Sequence, residues 1–88
     1  MPSTKLIVRN KVGLHARPAV LFVQAAQAFP CEIRVSKDGK EGNAKSFKAV
    51  LGLAVNQDEE ITVHAEGEDA EKALAALTKL VEDNFGEK

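Results

Sequence analysis

Apolar side chains fall along this 88-residue chain in short blocks whose period switches between two and about 3.6 residues. Lys5-Leu6-Ile7-Val8-Arg9 is short and β-branched and runs into the polar Asn10-Lys11, the pattern of a strand ending in a loop. Over residues 16–29, Ala19, Phe22, Val23 and Ala26 recur at helical spacing. Pro18 suits the first turn of that helix, and Pro30 stops it. Cys31, Ile33 and Val35 then alternate with Glu32, Arg34 and Ser36, and Asp38-Gly39 is a two-residue hairpin turn into Lys40-Glu41-Gly42-Asn43. Ser46 precedes Phe47-Lys48-Ala49-Val50-Leu51, which predicts a short serine-capped helix ending near Gly52. Residues 60–66 alternate cleanly. Asp69 is then placed to cap a last helix with the stripe Ala70, Ala73, Leu74, Leu77 and Val81.

The order is βαββαβα. Four strands with one apolar face, and helices able to cover only that face, make an α+β open-faced β-sandwich. The connection from the first strand through the first helix to the second strand leaves room for the fourth strand beside the first. The expected antiparallel sheet is therefore ordered β1-β4-β2-β3. No repeat, low-complexity tract or linker divides the chain, so residues 1–88 read as one domain.

Apolar residues make up 44% and charged residues 28%, an ordinary soluble globular balance. This length supports one two-layer core but not a deep catalytic pocket as well, so the function is expected on a surface. Cys31 is the single cysteine and excludes an intrachain disulfide; with a start that lacks the apolar stretch of a signal peptide, it points to the cytoplasm. No apolar run approaches the roughly 20 residues of a membrane span. A net charge of −1 argues against nucleic acid as a partner. The charge is unevenly spread, however. Residues 1–31 carry Lys5, Arg9, Lys11 and Arg17 and no acidic residue, which suits an acidic protein surface or an anionic group.

Gly13-Leu14-His15-Ala16-Arg17-Pro18 stands where the first loop becomes the first helix. A helix start presents unpaired backbone N–H groups, here those of Ala16 and Arg17, together with the positive end of the helix dipole. A neutral imidazole at that point is a competent nucleophile toward a phosphoryl group, and Arg17 can set its guanidinium against the transferred oxygens. Gly13 permits a tight bend, and Pro18 presets the helix at no cost in hydrogen bonds. Spacing alone is equally compatible with a capping surface histidine and a solvated arginine.

This hexapeptide resembles the active-site signature of HPr, the histidine-containing phosphocarrier family of the phosphoenolpyruvate:sugar phosphotransferase system. The likeness extends to length, element order, the stretch 43–55, and the Glu66-Gly67-Glu68-Asp69-Ala70 entry to the last helix. It implies a non-enzymatic carrier in which Nδ1 of His15 takes a phosphoryl group from enzyme I and passes it to sugar-specific IIA domains, with Arg17 assisting. It also implies Ser46 as a site for an ATP-dependent HPr kinase. Lys48 departs there from the two large apolar residues that usually follow the serine in kinase-regulated members, and an N-cap role accounts for Ser46 by itself. Val12 is a second departure, since the residue before Gly13 is commonly small and polar in the family and valine offers no side-chain hydrogen bond.

Phe22 and Phe29 read as core. Phe47 is expected to be exposed near the His15 loop as a docking anchor, with Lys45, Lys48 and Arg17 as a polar rim. His64 falls on the polar face of its strand, and with His15 and Cys31 shows no metal-ligand spacing, so neither metal nor cofactor is expected. A monomer is expected, because the apolar faces are used internally. Two other readings share these residues: a carrier for a nitrogen-regulatory or other phosphorelay, and a regulatory protein-binding module that is not phosphorylated.

Overall fold

In the computed structural model, which describes residues 2–86, the alternating blocks pair into one four-stranded antiparallel sheet of order β1-β4-β2-β3. The elements are β1 (Ser3–Val8), α1 (Ala16–Gln27), β2 (Glu32–Lys37), β3 (Lys40–Asn43), α2 (Phe47–Gly52), β4 (Glu59–Glu66) and α3 (Ala70–Glu82), followed by a 3₁₀ turn, Asn84–Gly86. Register places Leu6 opposite Ile61, Val35 opposite Val63 and Ile33 opposite Ala65. A period of two sends all six of these side chains to one face, where they are buried. The stripes Ala19, Phe22, Val23, Ala26 of α1 and Ala70, Ala73, Leu74, Leu77, Val81 of α3 cover that face. The other face is left to Lys5, Thr62, Arg34 and their neighbours. No described helix is long and apolar enough to cross a membrane.

Element ends differ from the pattern for local reasons. β1 begins at Ser3, in register with His64, and stops at Val8 rather than Arg9. α1 ends at Gln27, because the N–H groups of Ala28 and Phe29 turn back to Ala25 O and Ala26 O in a tighter, 3₁₀-like last turn before Pro30. Asp38 and Gly39 both have positive φ, +50° and +84°, as a two-residue hairpin turn requires. Asp69 occupies the N-cap position of α3 but makes no capping bond; its backbone is left-handed, and its carboxylate lies 3.9 Å from Lys72 Nζ. His64 is half-buried rather than exposed, between Ser3 and Arg34 across the strands.

One ion pair differs from the others in burial. Lys37, at the end of β2, is only 12% exposed and donates from Nζ to Glu59 Oε1 at 2.8 Å. The same carboxylate oxygen accepts the backbone N–H of Asn56 at 2.7 Å. The hydrogen bond from Lys37, and after it that from Asn56, hold the Glu59 carboxyl below its ordinary value of 4.5. A depressed carboxyl contributes stability that is present above the ordinary value and is lost as pH falls through the lowered one. The urea midpoint of the wild type should therefore exceed that of Glu59→Gln at neutral pH, with the difference shrinking once pH drops below 4.5. A pH-independent difference would contradict this account of the pair.

Candidate functional site

The segment that enters α1 is shaped by what surrounds Gly13. Asn10, almost fully buried, donates from Nδ2 to Gly13 O at 2.9 Å, and Gly13 N–H returns to Asn10 O at 3.1 Å. Leu14 is buried, and its N–H bonds Val55 O at 3.0 Å. Gly13 has φ +64°, and a β-carbon there would collide with Val55 O and stand 2.8 Å from Asn56 Cα. Glycine is required both for conformation and for space. Val12, exposed, gives the loop no bond of its own; Asn10 supplies the side-chain support from two residues earlier.

His15 follows as the N-cap residue of α1, in extended conformation and with no capping bond from its side chain. Its ring turns instead to the loop after α2, where Nε2 lies 3.2 Å from Asn56 Oδ1. A carbonyl oxygen only accepts, so in this contact Nε2–H is the donor, and in a neutral ring the lone pair is then on Nδ1. Ala16 opens the helix with a left-handed φ of +51°. The N–H groups of Ala16 and Arg17 belong to the first turn, which has no intrahelical acceptor for them, and Pro18 has no N–H to satisfy. No acidic residue occupies this turn, so its partial positive charge is not offset locally. Arg17 is exposed and borders a shallow groove with Pro18, Leu21, Phe85 and Gly86. The His15 ring and the first-turn N–H groups thus share one helix end, with Arg17 exposed on the first turn beside them.

The second predicted cluster lies at the start of α2. Ser46 caps α2, its Oγ accepting from Ala49 N–H at 3.3 Å. Lys45 Nζ donates to Phe29 O at 2.6 Å, and Gln27 Nε2 donates to Lys45 O at 3.0 Å. These bonds set the start of α2 against the C-terminal end of α1, whereas His15 is at the N-terminal end. Phe47 and Lys48 are exposed as expected, but they begin a helix whose other end approaches the His15 loop. Lys45 is held against the end of α1 by these bonds, with its ammonium paired to a neutral carbonyl. What this stretch brings to His15 is Asn56, across 41 residues of sequence. No local pattern marks Asn56. Asn10, by contrast, carried a readable sign as a turn-forming residue ahead of a glycine. His64 lies on the outer sheet face and Cys31 in the core, apart from this site.

A family model described as the PTS HPr component phosphorylation site matches residues 2–83. The chain is 46% identical over 83 residues to the HPr-like protein Crh of Bacillus subtilis, covering 94% of this chain and 98% of that one. It is 39% identical to the phosphocarrier protein HPr of Pseudomonas aeruginosa, covering 99% and 98%. The crystal structure of an HPr from Thermoanaerobacter tengcongensis superposes with a TM-score of 0.98 at 46% identity, covering 100% and 99%. The chain belongs to the HPr family, whose members are phosphocarriers of the phosphotransferase system rather than catalysts.

Gly13→Ala should cost at least about 2 kcal/mol, since it combines a left-handed backbone with a collision against peptide atoms. Asn10→Ala should cost about 1–2 kcal/mol, the value of a buried hydrogen bond whose acceptor is left behind. Urea unfolding of the two variants measures both, and a Gly13→Ala protein as stable as wild type would contradict the close approach to Val55.

Proposed function

We propose that this chain accepts a phosphoryl group from phosphorylated enzyme I on Nδ1 of His15 and delivers it to sugar-specific IIA domains in the cytoplasm, acting as a monomer. The observation that carries this reading is the His15 ring, with Nε2 facing Asn56 Oδ1 at a helix end whose first-turn N–H groups are unspent. The Nδ1 lone pair attacks phosphorus, the N–P bond forms, and the bond from phosphorus to the donor breaks with its electron pair leaving on the donor. Charge on the three equatorial oxygens is met by the Ala16 and Arg17 N–H groups and by the Arg17 guanidinium. The proton on Nε2 stays in place throughout, so the ring does not have to rearrange between acceptance and delivery. An open surface suits a carrier, which must dock donor and acceptor in turn through the same face.

A second reading, a regulatory protein-binding module that carries no phosphate, is favoured by the higher identity to the relative named only as HPr-like. One experiment separates the two. Incubation with phosphoenolpyruvate and enzyme I should add the mass of one phosphoryl group, acid-labile and base-stable, and His15→Ala should add none. Absence of the gain in wild type would favour the module. Arg17→Ala should slow transfer on the order of tenfold to a hundredfold while changing stability by less than about 0.5 kcal/mol. Lysine at 17 should restore only part of the rate, because it lacks the bidentate fork. Unchanged transfer in Arg17→Ala would make Arg17 a solvated charge.

A further inference from the structure

Asn56 meets His15 from a loop that the chain does not adopt for its own sake. Between α2 and β4, Ala54 and Asp58 both have left-handed backbones, φ +54° and +67°. That conformation is disfavoured for an L-residue, so the loop must be held. Four ties do so. Leu14 N–H bonds Val55 O at 3.0 Å. Asp58 N–H bonds Val8 O at 2.6 Å, and Gln57 Nε2 bonds Arg9 O at 3.2 Å, which fasten the loop to the end of β1. The fourth is the Lys37–Glu59 pair, which takes the Asn56 N–H on Glu59 and braces Ala54 O with Lys37.

Glu59 Oε1 accepts Asn56 N–H at 2.7 Å while Glu59 N–H donates to Asn56 O at 3.2 Å, so the Asn56 backbone is bonded on both sides by one residue. Lys37 Nζ holds that carboxylate at 2.8 Å and also donates to Ala54 O at 2.8 Å, on the other side of Asn56. Lys37 is the last residue of β2 and Glu59 the first of β4, neighbouring strands in the sheet, so the pair has a rigid base. No bond joins either side chain to His15, Ala16 or Arg17 among the described residues. Their direct bonded route to the His15 ring runs through Asn56, whose N–H Glu59 accepts and whose Oδ1 faces the ring.

We propose that Lys37 and Glu59 are positioning residues for His15: they fix the Asn56 backbone so that its Oδ1 meets Nε2–H and the Nδ1 lone pair is left pointing outward. The kinetic consequence rests on the reading of His15 as phosphoryl acceptor. The consequence for the ring's tautomer does not, and it can be read in the free protein.

The test uses the full chain with Glu59→Ala, Glu59→Gln, Lys37→Met, Asn56→Ala, and Glu59→Ala combined with Asn56→Ala, each shown by urea unfolding to be folded under assay conditions. Imidazole ¹⁵N chemical shifts of His15, taken where the ring is neutral, report which nitrogen holds the proton. Wild type should be almost wholly Nε2–H. Glu59→Ala, Lys37→Met and Asn56→Ala should each admit the Nδ1–H form, and the double variant should be no different from Asn56→Ala alone. Glu59→Gln, which keeps an oxygen for the Asn56 N–H, should recover most of the wild-type signature. Phosphorylation by enzyme I should slow about fivefold in Glu59→Ala, the loss expected of one hydrogen bond, with no further slowing in the double variant. A wild-type tautomer in Glu59→Ala, or effects of Glu59→Ala and Asn56→Ala that simply add, would overturn the proposal. Should the wild type take no phosphate while the shifts follow this pattern, the phosphocarrier reading falls and the positioning role stands.

Discussion

The site depends on one close approach of backbone to backbone. The Val55–Asn56 peptide fills the space in which a side chain at residue 13 would lie, and Leu14 N–H bonds Val55 O across the same contact. With Leu14 buried beneath it, this contact joins the segment entering α1 to the segment leaving α2. Two pieces of chain far apart in sequence therefore move as one body. His15 comes from the first and Asn56 from the second, and their side chains meet because the backbones already do. A wider separation would leave the helix start intact as an anion site but free the imidazole to rotate and exchange its proton between nitrogens.

Electrostatics then favours one kind of substrate. The start of α1 offers N–H donors, the positive end of a dipole and the Arg17 guanidinium, and the first 31 residues carry no carboxylate to oppose them. The paired carboxylates among the described residues lie elsewhere: Glu59 on Lys37, Glu32 and Glu41 on Arg34 at the outer sheet face, and Asp69 on Lys72 at the start of α3. Glu59, the one that influences His15, does so while bonded to a lysine, so it supports the loop without presenting a free negative charge to an incoming phosphoryl group.

The fold was legible wherever the apolar period matched an element's buried face. The alternation in β2 and β4 and the stripes of α1 and α3 all became core, and the Asp38-Gly39 turn followed from residue types that accept positive φ. Of the candidate site, Gly13 and Pro18 had local reasons at a helix start, whereas His15 and Arg17 stood out from a capping histidine and a solvated charge only through the family resemblance. The seating of α2 on α1 could not be read, since it depends on which end of α2 meets which end of α1, and bonds such as Lys45 to Phe29 O contribute to that. Asn56 was illegible for the same reason. Its partner is 41 residues away, and an asparagine in a loop looks the same whether or not a histidine faces it.

Backbone strain shows why local preference could not have revealed the site. Seven described residues other than glycine have positive φ. Asp38, Asp58, Asp69 and Asn84 are of types that tolerate the left-handed region; Ala16, Ala54 and Phe85 are not. Ala16 follows His15, Ala54 stands two residues before Asn56, and Phe85 borders the same groove as Arg17. The conformations least favoured by their own residues thus gather around the site, each at a cost of order 1–3 kcal/mol. Long-range packing surrounds each: Leu14, two residues before Ala16, is buried and bonded to Val55 O, Lys37 bonds Ala54 O, and Phe85 is sunk in the core. Propensity, which reads only neighbours, therefore fails where long-range contacts force the chain into its functional shape, and at those same positions a substitution tolerable by propensity would loosen the geometry that His15 needs.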